Sequence, residues 1–426
     1  MTTSTGTKKR LSPSVYYLLI GTAVGWPSLL GVSRLLPLWQ QGRSGTPDSL
    51  AAIHLLVLGS MLTVAWGVLY QIVPIAFQAP PVPRHLLYWH LPLHLLSVVG
   101  MVIGFLTSQF LVVGSFGSLL FCSATGFFVF AFKSYRRARN KTAVHRALIF
   151  PLAALGLVML IGIDQALLPA SVSSSLLLTH VLLGGMAFWG TLVLVLSYKL
   201  VPMFSLSHGY TVSIWRTVSL YAAGVLLWIL SSWIPSYSVH RVGTAVAFML
   251  VAAGSLLYVV DMMTIVRARK RKRIVLPMFD AFLAMLLLVF GQLGTVVSSF
   301  FHLTTGLFAS VFLFVFGGLL ALMLSYMQKM VPFLWFEYRF SKRPERKTAP
   351  LIDDMVAKTP AQSGMLIYYL GVFTGVVALF TANGSGLVTL SWCSGVAMTT
   401  GSALVFFALR HVLTIGGIRP SDGPTE

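Results

Sequence analysis

The sequence predicts an all-α polytopic membrane protein: about twelve transmembrane helices in three pseudo-repeats of four. Composition is the first reason. Hydrophobic residues make up 57% of the chain and charged residues only 9%, where soluble domains carry roughly 25% charged residues. The second is length: twelve apolar stretches reach the ~20 residues a helix needs to cross a bilayer. The third is repetition. His54-Leu-Leu-Val-Leu-Gly leads to Tyr70-Gln-Ile-Val-Pro74, His180-Val-Leu-Leu-Gly-Gly leads to Tyr198-Lys-Leu-Val-Pro202, and His302-Leu-Thr-Thr-Gly leads to Tyr326-Met-Gln-Lys-Met-Val-Pro332. The tyrosines stand 128 residues apart (198 − 70 and 326 − 198), and a fixed period is evidence about the whole architecture.

The spans are expected near 14–38, 51–77, 85–107, 110–132, 146–168, 175–203, 213–234, 240–266, 276–298, 301–334, 362–383 and 387–412. Lys8, Lys9 and Arg10 precede the first, as in a signal peptide. That stretch is too long for a signal h-region and eleven spans follow, so it reads as a retained helix. One transmembrane domain then covers 14–412, with repeats near 14–132, 146–266 and 276–412. It is flanked by a terminal segment, 1–13, and a tail, 413–426. The longest loop, 335–361, is charged, holds Pro344, Pro350 and Pro360, and reads as a linker. The histidine segments are spans 2, 6 and 10, equivalent positions in three four-helix units. At their far ends, proline is expected to end or kink each helix, with tyrosine at the membrane interface.

A net charge of +20 on 30 basic residues raises the question of nucleic acid. The distribution answers it. With the N-terminus inside, only Arg34, Arg43 and Arg241 fall outside; the runs Lys133–Arg146, Arg267–Arg273 and Arg339–Lys358 all fall inside. Such asymmetry is what topology anchors produce, with binding of anionic lipid headgroups as the lesser alternative. The expectation is a multi-pass protein of the cytoplasmic membrane, both termini cytoplasmic, with lipid and not nucleic acid as its partner.

Cys122 and Cys393 lie in apolar helices and offer neither a disulfide framework nor a thiolate zinc site. No Cys-x-x-Cys-His occurs, so covalent haem attachment is excluded, and no nucleotide-binding or metalloprotease motif appears. Histidine is the chemistry-bearing residue. His54, His180 and His302 each open an apolar helix in the outer half of the membrane, where polar groups are expensive and seldom idle. Neutral imidazole is a good axial ligand for haem iron, and two histidines on different helices can clamp a porphyrin. Gly59, Gly184, Gly185 and Gly306 would let a flat macrocycle approach the backbone; simple helix packing is the alternative for each. For any single histidine the alternative is an interfacial anchor. Their spacing to the tyrosine is 16, 18 and 24 residues, which puts His302 nearly two turns further out. His90 and His94 are an i, i+4 pair on span 3, a spacing that can hold a metal, with Pro92 between them. Arg34 and Arg241 are outer cations suited to haem propionates, or to ordinary snorkelling. His208 reads as a loop residue and His240 faces outward. His85, His145 and His411 read as interfacial anchors.

With its histidines on spans 2 and 10 the chain resembles the haem–copper oxidase superfamily, the cytochrome c oxidase subunit I-like proteins in particular. The resemblance implies twelve spans in three pseudo-repeats and a low-spin haem b held by His54 and His302. The departures are definite. His180 is followed four residues on by Gly184, where many members carry tyrosine. Span 7 lacks the histidine pair of the copper site, and span 10 has one histidine where the family has two. An intact oxygen-reducing copper centre is therefore not implied. The stretch from His180 to Ser205-Leu-Ser-His208-Gly is also similar to NnrS-type haem- and copper-containing membrane proteins of nitric-oxide stress.

Carboxylates are scarce: ten acidic residues in all, of which Asp164, Asp261 and Asp280 lie near span ends. That argues against a developed proton pump. The expected function is electron transfer, or binding or reduction of a small gas such as nitric oxide or oxygen. A divergent oxidoreductase served by an electron-donor protein or quinol would fit, with haem b as cofactor and copper an open question. The alternative is a cofactor-free transporter with a histidine-lined path. A threefold parallel repeat disfavours it, since carriers often show inverted or twofold repeats.

Overall fold

A computed structural model describes residues 13–77, 79–138, 141–270, 274–340, 349–381 and 383–416. The expected terminal segment 1–12, the tail from 417, and positions 271–273 and 341–348 of the basic loops lie outside the described residues. Among the described residues the chain is α-helical, with one isolated bridge between Ser207 and Arg269 and no strand. Eleven helices are long and apolar enough to cross a membrane. They are Pro47–Pro74 (span 2), Arg84–Leu106 (span 3), Phe110–Arg137 (span 4), Ala143–Leu167 (span 5), Ser174–Ser205 (span 6), Ile214–Ser231 (span 7), Tyr237–Arg267 (span 8), Leu276–Phe300 (span 9), Thr304–Arg339 (span 10), Lys358–Thr381 (span 11) and Gly384–Val412 (span 12). Span 1 is the pair Ser14–Leu30 and Val32–Gln40, bent by 49°. The bend falls at Gly31, and glycine is a weak helix former. The protein is a polytopic all-α membrane protein.

Spans 2, 6 and 10 are the inner helices. In their most apolar windows 61, 83 and 67% of residues are buried, against 33 to 56% for the other unbent spans. Each is interrupted by an eight-residue π-helix: Leu55–Leu62, Leu183–Gly190 and Leu313–Leu320. These segments start 128 and 130 residues apart (183 − 55 and 313 − 183), so the sequence repeat is also a backbone repeat. π-Helix is rare and concentrates at functional sites.

Pro74, Pro202 and Pro332 do not end their helices, which run on for several residues. The tyrosines are not interfacial: Tyr70, Tyr198 and Tyr326 are all buried. The physical reason is that the inner helices are surrounded by other helices at this depth. A phenol there needs a protein partner. Tyr326 hydroxyl meets Ser197 hydroxyl at 3.2 Å, joining spans 10 and 6, and Tyr258 on span 8 donates to the same serine at 2.9 Å.

Span 7 is tied to span 8 by Asp261, which is buried. Its carboxylate accepts from Tyr198 at 2.5 Å and from Thr217 at 2.8 Å, with Arg216 at 3.5 Å. Asp261 lies near the end of span 8, as expected, and is buried there. Lys329 is also buried, well before span 10 ends, and pairs with Asp353. Asp353, with buried Met355 and Val356, holds the end of the 335–361 loop against the bundle.

Candidate functional site

Span 2 begins with Pro47 in its first turn, where the missing N–H costs nothing and φ is preset. The helix places His54 one residue before its π-segment. Span 6 begins after Ser173, whose side chain accepts from the Leu176 amide, and places His180 three residues before its own π-segment. The structure brings these two residues together. Their ring centroids are 6.3 Å apart with planes inclined at 33°. Both side chains are partly buried.

The surroundings fix how each ring is presented. His54 Nδ1–H donates to the Leu50 carbonyl at 2.7 Å; a carbonyl can only accept, so Nε2 is left with its lone pair. Phe105 of span 3 packs on the His54 ring at 4.6 Å, tilted by 32°. His180 Nδ1 is buried and has no hydrogen-bond partner. The ring lies against Gly162 of span 5: a Cβ there would stand 2.9 Å from His180 Cε1. A side chain there would press on the imidazole, so glycine leaves it room. The pair therefore sits where spans 2 and 3 of the first unit meet spans 5 and 6 of the second.

What this donor set can hold follows from bond lengths. Two imidazoles on opposite sides of one metal, at about 2.0–2.1 Å per bond and about 1.1 Å from nitrogen to ring centre, stand about 6.3 Å apart. The observed spacing fits. Among the described residues there is no cluster of three or more His, Cys, Asp or Glu that would hold a bare metal ion. Copper ordinarily draws on several nitrogen or sulfur donors. Haem brings four equatorial nitrogens of its own and asks the protein for axial ligands only. The two-imidazole site suits haem and is short of donors for copper.

His302 does not join this pair on a helix. It lies in the turn between spans 9 and 10, exposed, with φ +56°. Span 10 starts at Thr304, and the chain reversal needs a residue in the left-handed region. The residue preceding the third π-segment is Phe312, which packs with Phe316 at 4.5 Å. The third repeat thus carries aromatics where the first carries His54. Arg34 is exposed and lines a cavity of about 160 Å³ with Asp48, Ala51, Leu55, Val102 and Leu106. Arg241 is exposed and lies over the Phe300 ring at 5.7 Å. Of the four glycines proposed as a cradle, Gly59 and Gly306 face neighbouring helices closely and read as packing positions. A Cβ at Gly185 would meet nothing within 4 Å.

A second cluster lies deeper along spans 2 and 3. His90 and His94 are both buried, with centroids 5.8 Å apart. His90 Nδ1 and the Tyr70 hydroxyl are hydrogen-bonded at 2.6 Å. His94 Nε2–H donates at 3.0 Å to the Leu58 carbonyl, within the first π-segment. Trp66 packs edge-on to His90 at 5.2 Å. His90 Nε2, His94 Nδ1 and Trp66 Nε1 are all buried without partners. An unmade hydrogen bond on a buried polar group costs about 1–3 kcal/mol, so three in one place is an unusual concentration. The i, i+4 histidine spacing pointed here; the part played by Trp66, and by Tyr70 as a partner of His90 where the interface was expected, was not legible.

No protein-family model matches this sequence, and no curated protein matches it either.

Proposed function

We propose that the chain is a haem-binding membrane protein of haem–copper oxidase subunit I-like architecture whose work is electron transfer, with His54 and His180 as the axial pair of a b-type haem. One observation carries the reading: two imidazoles on different spans, 6.3 Å apart, a separation compatible with a shared iron. The pairing differs from the His54–His302 pair that the family resemblance implies. The basic residues' distribution supports a cytoplasmic membrane location with both termini inside.

Haem, when bound, supplies reversible one-electron chemistry at its iron. The protein's part is to hold and orient. The Leu50 carbonyl fixes the His54 tautomer and leaves Nε2 as the nitrogen that would ligate iron. Phe105 restrains rotation of that ring. Gly162 leaves room for the His180 imidazole beside span 5. Held by both imidazoles, a haem would have no place for a gas. The arrangement therefore favours electron transfer over nitric oxide or oxygen reduction.

The test is optical. Protein purified in detergent from haem-replete cells should give a reduced spectrum with a sharp low-spin α-band, unperturbed by carbon monoxide. His54→Ala and His180→Ala should each abolish that band, and His302→Ala should keep it. A colourless protein would overturn the reading, as would loss of the band in His302→Ala with retention in His180→Ala.

A further inference from the structure

The cavity where spans 1, 2 and 3 meet is made of two kinds of surface. Its wall is apolar, with Leu35 from span 1, Leu55 from span 2, and Val102 and Leu106 from span 3. Its polar groups are few. Arg34 comes from span 1 and Asp48 from the first turn of span 2. Ser28, on the other side of the Gly31 bend, lines the same space. Among the described residues, the side chains of Arg34 and Asp48 make no ion pair and no hydrogen bond, with each other or with any other group. The Ser28 hydroxyl is buried and also lacks a partner. Solvent alone would satisfy either exposed charge. It accounts neither for the buried hydroxyl nor for an apolar cavity of about 160 Å³ at the same place.

Each feature selects part of a ligand. An apolar cavity of about 150 Å³ is enough to bind benzene, so this one takes a comparable length of hydrocarbon. Leu106, on its wall, is itself exposed, as are Ile103 and Leu111 nearby. An apolar outer face of a spanning helix meets lipid, so the hydrocarbon at hand is an acyl chain. Arg34 calls for an anion, and a guanidinium matches phosphate in particular. Asp48 calls for a cation with N–H donors. It also works against a ligand of net negative charge, because a second anion beside the carboxylate is repelled. The Ser28 hydroxyl can donate to an ester carbonyl at the root of the chain.

We propose that this cavity is a selective binding site for one zwitterionic aminophospholipid, phosphatidylethanolamine. Its phosphate lies on Arg34, its ammonium on Asp48, and the root of one acyl chain against Leu55, Val102 and Leu106. A choline headgroup has the same charges but no N–H to give a carboxylate. A glycerol headgroup has the phosphate and no cation. This selectivity separates the site from lipid that merely coats the helices. The wall adjoins the first histidine: Leu55 follows His54, and Leu106 follows Phe105, which packs on the His54 ring. The bound lipid therefore braces the spans that present His54, while its binding does not depend on haem.

Native mass spectrometry of the full-length protein, delipidated in detergent, tests it by counting bound lipid. The probes are dioleoyl phosphatidylethanolamine, dioleoyl phosphatidylcholine and dioleoyl phosphatidylglycerol. Wild type should bind one ethanolamine lipid about tenfold more tightly than either of the others, the scale of one hydrogen bond to a charged group. Asp48→Asn should bring the ethanolamine and choline lipids level. Arg34→Gln should weaken binding of the ethanolamine lipid by about tenfold. Both side chains are exposed, so both variants should fold. Arg43→Gln, exposed and outside the cavity, should change nothing. O-Phosphoethanolamine, which lacks the chains, should not displace the lipid at equal concentration. Equal affinity of wild type for the three lipids overturns the proposal, and so does a preference for ethanolamine over choline that survives in Asp48→Asn. Displacement by O-phosphoethanolamine overturns it too, since the site would then read the headgroup alone.

Discussion

Asp261 is the clearest place to test the packing of the second unit. In Asp261→Ala the carboxylate disappears and two buried donors lose their acceptor. Tyr198 hydroxyl, at 2.5 Å, and Thr217 hydroxyl, at 2.8 Å, are both shielded from solvent. Each stranded donor costs about 1–3 kcal/mol, giving roughly 2–6 kcal/mol together. The ion pair adds little. The Arg216 side chain is 54% exposed and stands 3.5 Å away, and such pairs contribute about 0–1 kcal/mol. The ranking is therefore worked from geometry: Asp261→Ala most damaging, Tyr198→Phe intermediate, Arg216→Gln least. The double variant Tyr198→Phe/Asp261→Ala should be better than additive, because the phenol no longer needs a partner. Unfolding by increasing SDS mole fraction in mixed micelles, followed by tryptophan fluorescence, measures all four. An Asp261→Ala protein within about 0.5 kcal/mol of wild type would refute the reasoning, since that is the usual range of a surface change away from any packed feature.

The histidine pair and the third repeat give two further expectations. Gly162→Ala puts a methyl 2.9 Å from His180 Cε1, so overpacking should cost about 1–3 kcal/mol and shift the visible spectrum. Gly156→Ala on the same helix, where a Cβ meets nothing within 4 Å, should leave the spectrum unmoved; thermal melts and absorbance compare them. His302→Gly should raise stability modestly, by up to about 1 kcal/mol, because φ +56° suits glycine better than histidine. A measured loss of stability there would mean that the imidazole has a partner worth more than the backbone strain.

Much of the architecture was legible because it rests on one-dimensional quantities. Apolar length marks out the spans, and the 128-residue tyrosine spacing marks spans 2, 6 and 10 as equivalent. Their ends shifted by a few residues where local chemistry intervened. Span 2 starts at Pro47, a residue preset for a first turn, and span 10 waits until Thr304 because His302 is used to turn the chain. The π-segments were not legible. A π-helix has the same composition as the α-helix around it and differs only in hydrogen-bond register, as Leu183–Gly190 illustrates.

The candidate site divides in the same way. Residue chemistry alone singled out His54, His180, His90 and His94, since imidazole in an apolar helix is costly and therefore conspicuous. Which histidine stands beside which is a property of helix rotation and crossing, and no spacing along the chain encodes it. Packing set His180 beside His54, turned His302 out into a loop, and drew Tyr70 off the interface into contact with His90. Asp261 was visible as a carboxylate near a span end, but only the approach of spans 6 and 7 makes it a buried acceptor. The sequence by itself determined an all-α membrane bundle with a threefold pattern, because hydropathy and period are summed along the chain. The tertiary structure alone decided the pairings, because distances between side chains on different helices depend on how those helices pack.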